Sequence, residues 1–119
     1  MTDCIFCKII NKELPSETVL ETDKILAIVP LNQVSKGHLL ILPKQHFENI
    51  FDITEELLQS IAFASQELSK RAKTEYQATG INLLHASGKD AQQSVFHFHL
   101  HLVPRYPDDG LDLWIREGL

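Results

Sequence analysis

Three histidines recur at every second position in the segment SVFHFHLHLVPR, residues 94–105. Successive side chains of a β-strand point to opposite faces, so His97, His99 and His101 would share one face, roughly 7 Å apart. Such a row of imidazoles contacts two or three phosphate oxygens, ligates a metal ion, or divides both tasks along its length. A half-buried strand with neither task is the plain alternative. The presence of half the chain's six histidines within five residues argues against it.

A catalytic metal site built from all three histidines is a further alternative, because neutral imidazole is a common zinc ligand. Ligating imidazoles are usually held by acidic groups, and the chain offers Asp90, Asp108 and Asp109. The spacing of the row does not separate this site from a phosphate site. The apolar residues within the segment predict a second face that packs on the core: Phe96, Phe98, Leu100 and Leu102.

The chain's two cysteines, Cys4 and Cys7, form the second group with chemical potential. Two thiolates at this spacing bind one zinc ion, which then needs two further ligands, and imidazoles suit that need. A redox pair of the same spacing would follow a strand and open a helix within a βαβ unit, but only three residues precede Cys4. Zinc binding is therefore favoured over redox chemistry and over two cysteines that merely pack.

The elements that hold these residues are predicted from hydrophobic periodicity and turn residues. A short helix is predicted near residues 5–11, and a long amphipathic helix begins after the N-cap Thr54 and runs to about Tyr76, before Gly80. Strands are predicted at 16–22, 25–29, 37–43, 81–86 and 94–105. His38 and His46 bracket the third strand. The predicted fold class is α+β, with a mostly antiparallel five-stranded sheet, one long helix and a short N-terminal helix.

Length and composition bound the function. The 119 residues predict a single domain, residues 1–119. A net charge of −5 argues against nucleic acid as the main partner, because the chain has no basic patch. No apolar run is as long as a membrane span, and the first residues lack the basic and apolar regions of a signal peptide. We therefore expect a cytoplasmic protein whose cysteines form no disulfide.

Three motifs, in this order and spacing, resemble the histidine triad (HIT) superfamily of nucleotide hydrolases and transferases: CIFCKII, GHLLILPKQH and QQSVFHFHLHLVPR. The hallmark of that superfamily, His-φ-His-φ-His-φ-φ with φ an apolar residue, matches residues 97–103. The resemblance covers nearly the whole chain. It implies a HIT-like fold and a purine nucleotide or nucleotide conjugate as the partner.

The resemblance also implies a division of labour among the histidines. His99 matches the nucleophile, which attacks the α-phosphorus of the substrate and forms a transient nucleotidyl-histidine. His101 matches a residue that contacts the phosphate, and His38 matches one that supports the triad from the neighbouring strand. Gln93 and Ser94 match residues that bind phosphate or position the leaving group.

In members that carry both cysteines, the resemblance implies a structural zinc ion with four ligands, here Cys4, Cys7, His46 and His97. Two departures concern the ribose. Pro30 stands where the superfamily usually has an Asp or Asn that holds the ribose hydroxyls, and Ala86 stands where an Asn is frequent. Asn32 and His85 lie close by in sequence and are the candidates to compensate.

These residues predict a hydrolase or transferase that cleaves nucleoside phosphoramidates or dinucleoside polyphosphates at the α-phosphate. A zinc-stabilised nucleotide-binding or scaffold protein with little turnover is the alternative, favoured by Pro30 and Ala86. A metal-dependent hydrolase ranks third. The resemblance further implies a two-fold symmetric homodimer in which the long helix and a sheet edge meet their symmetry mates. The helix carries an apolar band that includes Phe63, and Trp114 either completes the neighbour's pocket or packs.

Overall fold

A computed structural model of the chain describes residues 3–116. The described residues form two α-helices and five strands: α1 Ile5–Ile10, β1 Glu17–Glu21, β2 Ile25–Val29, β3 Leu39–Pro43, α2 Glu55–Tyr76, β4 Gly80–Leu84 and β5 Leu100–Arg105. All five strands join one sheet in the order β1-β2-β3-β5-β4, and every neighbouring pair is antiparallel. The predicted α+β class, with a five-stranded sheet, one long helix and one short helix, is confirmed.

The two helices cover opposite faces of the sheet. The buried side chains of α2 recur at helical spacing: Leu57, Ile61, Ala64, Ser65, Leu68 and Ala72. On the other face, Phe6 of α1 packs against apolar residues of β2 and β3: Leu26, Ile28, Leu40 and Leu42. Because β2 and β3 are covered on both sides, their sequences ILAIV and LLILP are apolar throughout.

The long helix begins after Thr54 and ends at Tyr76, as the sequence predicts, but the residue that ends it is not the predicted one. Thr54 is the N-cap, and its Oγ1 accepts a hydrogen bond from the amide of Leu57 at 3.2 Å. The chain leaves the helix at Gln77, which adopts the left-handed conformation with φ of 58°. Gly80, the residue predicted to end the helix, instead begins β4. A non-glycine residue in the left-handed region is not a pattern that the sequence reveals.

The histidine segment is paired in the sheet for only half of its predicted length. β5 begins at Leu100, whereas the alternation predicts a strand from residue 94. Phe98 and Leu102 are buried beneath α2, and Leu100 packs against the same cluster, as predicted. Phe96 is 45% exposed, so its predicted place in the core is wrong. The backbone lies outside the sheet at this residue, and the two-residue alternation no longer decides burial there.

The surfaces that the dimer prediction names are exposed in the single chain. β4 is an edge strand, and its Leu83 is 48% exposed. Phe63 on α2 and Trp114 in the tail are 66% and 64% exposed. Within residues 3–116, no helix has the length and apolar character needed to cross a membrane.

Candidate active site and metal centre

The three histidines lie on the face of the sheet that α1 covers, and they serve two different clusters. Phe6 of α1 contacts the rings of His97 and His99 edge-on, with ring centroids 5.8 and 5.1 Å apart. The ring centroids of His99 and His101 are 5.3 Å apart. His97 turns toward the two cysteines, whereas His101 contacts His38. The row is therefore divided at His99.

Cys4, Cys7, His46 and His97 each bring one potential ligand atom to within 4.8 Å of the others. Nδ1 of His97 lies 3.4 Å from Sγ of Cys4 and 3.6 Å from Sγ of Cys7. Nδ1 of His46 lies 3.3 Å from Sγ of Cys7 and 3.1 Å from Nδ1 of His97. Ordinary zinc bond lengths in a tetrahedron give S···N edges of about 3.6 Å and N···N edges of about 3.3 Å. These four distances match the tetrahedral edges within roughly 0.3 Å, and the two remaining distances, from Sγ of Cys4 to Sγ of Cys7 and to His46, are at most 4.8 Å.

The protonation of the cluster also suits a cation. Burial, followed by the neighbouring Cys4, raises the pKa of the Cys7 thiol to about 11, so a pair of thiolates here needs positive charge beside it. Nε2–H of His97 donates to the carbonyl of Pro43 at 2.8 Å, which leaves the Nδ1 lone pair facing the cysteines. Sγ of Cys4 accepts a hydrogen bond from the amide of Cys7 and caps α1. The short helix and the cluster therefore form one unit.

Backbone contacts fix which ring nitrogens of His38 and His101 carry protons. The amide of Val34 donates to Nδ1 of His38 at 3.2 Å, so the proton of this neutral ring is on Nε2. That Nε2–H donates to Nδ1 of His101 at 3.0 Å. The proton of His101 is therefore on its Nε2. This nitrogen is a hydrogen-bond donor, as a phosphate oxygen requires.

In His99 the proton and the lone pair are on the opposite ring nitrogens. Its Nδ1–H donates to the carbonyl of His97 at 2.8 Å, which leaves the lone pair of the neutral ring on Nε2. A nucleophilic nitrogen on His99 thus stands beside a donor nitrogen on His101. Displacement at phosphorus needs both groups, one to form the bond and one to stabilise charge on the oxygens.

Burial keeps these imidazoles neutral. It lowers the pKa of His101 to about 4, and the neighbouring rings of His99 and His38 add to the effect. Burial also lowers the pKa of His38 and of His99. Near neutral pH the lone pair of His99 is therefore available without a separate strong base.

The burial of His101 predicts that stability falls in mild acid. Its pKa is about 4 in the folded protein and about 6.5 in the unfolded chain. Between these values the unfolded chain binds a proton that the folded protein does not. The contribution of the neutral ring is therefore complete above the higher value and is lost as pH falls toward the lower one.

We expect His101→Gln, which cannot titrate, to lose less free energy of unfolding than the wild type between about pH 7 and pH 5. Urea unfolding at the two pH values measures this difference. An equal loss in both proteins would contradict a neutral, buried His101.

Gln93, predicted to bind substrate, is buried and its amide is fully engaged. Oε1 accepts a hydrogen bond from the amide of Gly88 at 2.7 Å. Nε2 donates to the carbonyls of Glu48 and Val95 at 2.6 and 3.1 Å. These contacts shape the loop that leads into the histidine row, and contact with substrate stays a prediction.

Ser94 and Asn32, the other predicted substrate contacts, are exposed. Ser94 lines a shallow hollow with Cys4 and His46, on the metal side of the row. Asn32 lies in the loop after β2, two residues before Val34. Their roles toward substrate likewise stay predictions.

The structure does not bring the three histidines together around one metal ion. His97 faces the cysteines, and the His99 ring is held by the His97 carbonyl. Asp109, a candidate to support such a site, forms a bidentate pair with Arg105 at 2.8 and 2.9 Å. Within the described part of the chain, the group that could hold a metal ion is the Cys2His2 cluster.

His85, a candidate to compensate for Pro30 and Ala86 at the ribose, contacts the histidine row, which no pattern in the sequence predicts. Its role toward the ribose stays a prediction. Its Nδ1 lies 2.9 Å from the carbonyl oxygen of His99, and its ring stacks on that of Phe98 with centroids 4.3 Å apart. The register that places it there, with Leu84 opposite His101, pairs residues distant in sequence. Periodicity along one segment gives no signal for such a pairing.

Gly37 permits the turn that leads into His38. It has φ of +89°, and a Cβ atom there would lie 2.9 Å from ring carbons of Tyr76. We expect Gly37→Ala to lower the free energy of unfolding by about 1–3 kcal/mol and to reduce activity, because His38 follows directly. Gly110→Ala is the matched control, since Gly110 has φ of +75° but nothing within 4 Å of the added Cβ. Equal losses in thermal unfolding would contradict the role of Tyr76.

The sequence matches a known family along most of its length. The family model described as HIT domain matches residues 11–108. "Protein hit" of Bacillus subtilis is 42% identical over 104 residues, which cover 87% of this chain and 72% of the relative. Adenosine 5'-monophosphoramidase HNT1 of Saccharomyces cerevisiae is 38% identical over 102 residues, covering 86% of this chain and 62% of the yeast protein.

Solved structures share the fold. A HIT family protein from Bacillus anthracis superimposes with a TM-score of 0.90 at 40% identity, covering 97% of this chain and 82% of that one. A zinc-bound histidine triad family protein from Mycobacterium smegmatis gives a TM-score of 0.89 at 33% identity, covering 93% and 81%. The match of the family model, the identity to these relatives and the histidine row agree, and the chain belongs to the HIT domain family.

Proposed function

We propose that this protein is a nucleotide hydrolase that cleaves nucleoside phosphoramidates or dinucleoside polyphosphates at the α-phosphate. One observation carries the proposal: His99 has a free lone pair on Nε2, and the neighbouring His101 has a proton on Nε2. The yeast relative that is named a monophosphoramidase supports phosphoramidates as one substrate class.

The reaction proceeds in two displacements. Nε2 of His99 forms a bond to the α-phosphorus, and the bond from phosphorus to the leaving amine or phosphate breaks. Water then attacks the same phosphorus, the P–N bond breaks, and the nucleotide leaves with His99 restored. The proton that the attacking water gives up balances the one that a leaving amine takes up. His101 donates to a non-bridging oxygen throughout and stabilises the charge that develops there.

We further propose one structural zinc ion per chain, held by Cys4, Cys7, His46 and His97. When bound, the ion closes a Cys2His2 site, which leaves no position for a reacting water. The match of four ligand distances to tetrahedral edges and the zinc-bound mycobacterial structure support this assignment.

A substrate screen tests the proposed activity. Adenosine and guanosine phosphoramidates and dinucleoside polyphosphates are incubated with the protein, with and without chelator, and release of nucleoside monophosphate is measured. We expect release from at least one class, with an initial rate that chelator leaves unchanged. Tight binding without release would support the alternative of a nucleotide-binding or scaffold protein, which the absence of a side-chain acceptor at Pro30 favours. Immediate loss of activity with chelator would favour a metal-dependent hydrolase.

We also propose a cytoplasmic homodimer built on the exposed edge of β4 and the exposed face of α2 around Phe63. Phe63, Leu83 and Trp114 leave apolar surface for a second copy to cover. Sedimentation at micromolar concentration tests the dimer. A single fully active species near 13.5 kDa would contradict it.

A further inference from the structure

We propose that His85 is a positioning residue for the nucleophile, acting on the backbone carbonyl of His99. This proposal rests on the proposed function, because it takes His99 as the reacting group. His85 lies outside the histidine row and immediately follows β4. Its ring contacts the His99 carbonyl.

The carbonyl of His99 lies at the point where the chain enters the sheet. β5 begins at the next residue, Leu100, so this carbonyl precedes the regular strand. Nδ1 of His85 lies 2.9 Å from the carbonyl oxygen. Because a carbonyl oxygen only accepts, Nδ1 of His85 carries a proton and donates it. His85 thus holds the first peptide of the strand at the residue that carries the nucleophile.

Ser87 fixes this tautomer from the other side of the ring. With the proton on Nδ1, Nε2 of the neutral His85 ring is an acceptor, and the hydroxyl of Ser87 lies within hydrogen-bond distance of it. The Ser87 oxygen itself accepts from the amide of Ile50 at 2.9 Å. Its hydroxyl proton is therefore free to point at His85. The hydrogen bonds run in one direction, from Ile50 through Ser87 and His85 to His99.

Stacking on Phe98 holds the His85 ring in the orientation that these hydrogen bonds require. The ring lies on Phe98 with centroids 4.3 Å apart and planes inclined by 27°. Phe98 is itself 2% exposed, and its amide donates to the carbonyl of Phe47 at 2.7 Å. The ring is thus fixed by one stack and by hydrogen bonds at both nitrogens. Rotation of the peptide after His99 would break the bond to His85.

The consequence for the reaction is geometric. The orientation of this peptide sets the direction of the His99 side chain, and with it the line along which Nε2 approaches phosphorus. A displacement of about 1 Å in a reacting group costs roughly 100-fold in rate. In the proposed mechanism His85 acts on the backbone of His99 and takes no part in holding substrate. Its loss should therefore lower kcat and leave KM nearly unchanged.

Two substitutions separate the donor from the stack. His85→Phe keeps an aromatic ring on Phe98 and removes the donor. His85→Asn removes the ring but places an amide N–H near the position of Nδ1. With a phosphoramidate that the wild type hydrolyses, we expect the Phe variant to lose roughly 10- to 100-fold in kcat, with KM within about threefold. We expect the Asn variant to retain kcat within about threefold of the wild type.

The outcomes decide between a positioning and a merely structural role. Wild-type kcat in the Phe variant, or an equal loss in both variants, would overturn the proposal. Thermal unfolding of each variant shows whether it folds. If the Phe variant does not fold, His85→Gln replaces it, because its longer amide does not coincide with Nδ1, and the same comparison with the Asn variant applies.

A spectroscopic measurement gives a reading that does not depend on turnover. Ring ¹⁵N spectra should show His99 protonated at Nδ1 in the wild type and in the Asn variant. In the Phe variant the two tautomers should mix, because the His99 side chain is no longer held on the His97 carbonyl. If the wild type hydrolyses no substrate, the proposed function fails, and these spectra still test the positioning. A single Nδ1–H tautomer in the Phe variant would overturn it.

Discussion

Replacing His99 with alanine is expected to lower turnover by about four orders of magnitude or more while the protein stays folded. The substitution removes the only nitrogen that forms the bond to phosphorus in the proposed mechanism. It leaves a small cavity next to Phe6 of α1, whose ring contacts the His99 ring edge-on. Steady-state rates with a nucleoside phosphoramidate measure the effect, and circular dichroism confirms the fold.

His101→Ala is the matched comparison, because it removes a donor rather than the bond-forming atom. We expect a smaller loss, roughly 100- to 1000-fold. Mass spectrometry of acid-quenched and base-quenched reactions gives the second reading. A nucleotidyl adduct that survives base and is lost in acid should appear in the wild type and be missing from His99→Ala. Undiminished turnover in His99→Ala would end the assignment of the nucleophile.

Replacing Cys4 with serine should remove zinc and lower the melting temperature by about 10 °C or more. Binding of a structural zinc ion contributes directly to folding, and a domain of this size shifts by several degrees for each kcal/mol lost. Sγ of Cys4 also caps α1, and because a serine hydroxyl can keep that cap, the loss reports on the metal site. Elemental analysis and thermal unfolding measure the two effects. The rate per folded molecule should fall much less than the stability.

Glu48→Gln is the control for this experiment. Glu48 is exposed and lines the same shallow hollow as Cys4 and His46, but it is not one of the four potential ligands. Its zinc content and melting temperature should match those of the wild type. Wild-type protein purified without chelator and found to contain no zinc would rule out the metal assignment.

Local patterns account for most of the fold. The apolar runs of β2 and β3, the N-cap at Thr54 and the helical spacing that follows it gave elements within a residue or two of their observed bounds. These features depend on neighbours in sequence. The last residue of α2, Tyr76, was also predicted. That Gln77 rather than Gly80 ends the helix was not predictable, because glycine is the residue that usually takes the left-handed conformation there.

The residues of the site were predictable where the family resemblance implied which residues meet. They were not predictable where only tertiary contacts bring residues together. The four residues of the Cys2His2 cluster meet as the resemblance implies. Periodicity alone would have extended β5 back to residue 94 and buried Phe96, because it cannot show where pairing with β3 stops. His85 depends on the register between β4 and β5, which no single segment encodes.

The one-way hydrogen bonds from Val34 through His38 to His101 have a consequence for inhibitors. The backbone amide at the start of this series cannot become an acceptor, so Nε2 of a neutral His101 always offers a proton. A ligand N–H group next to Nε2 of His101 would face a second donor and form no hydrogen bond, whereas a ligand oxyanion there would accept one. Tetrahedral oxyanions and sulfonyl compounds with an electron-poor centre facing His99 should therefore bind, and compounds that place an amidine N–H at that position should be rejected.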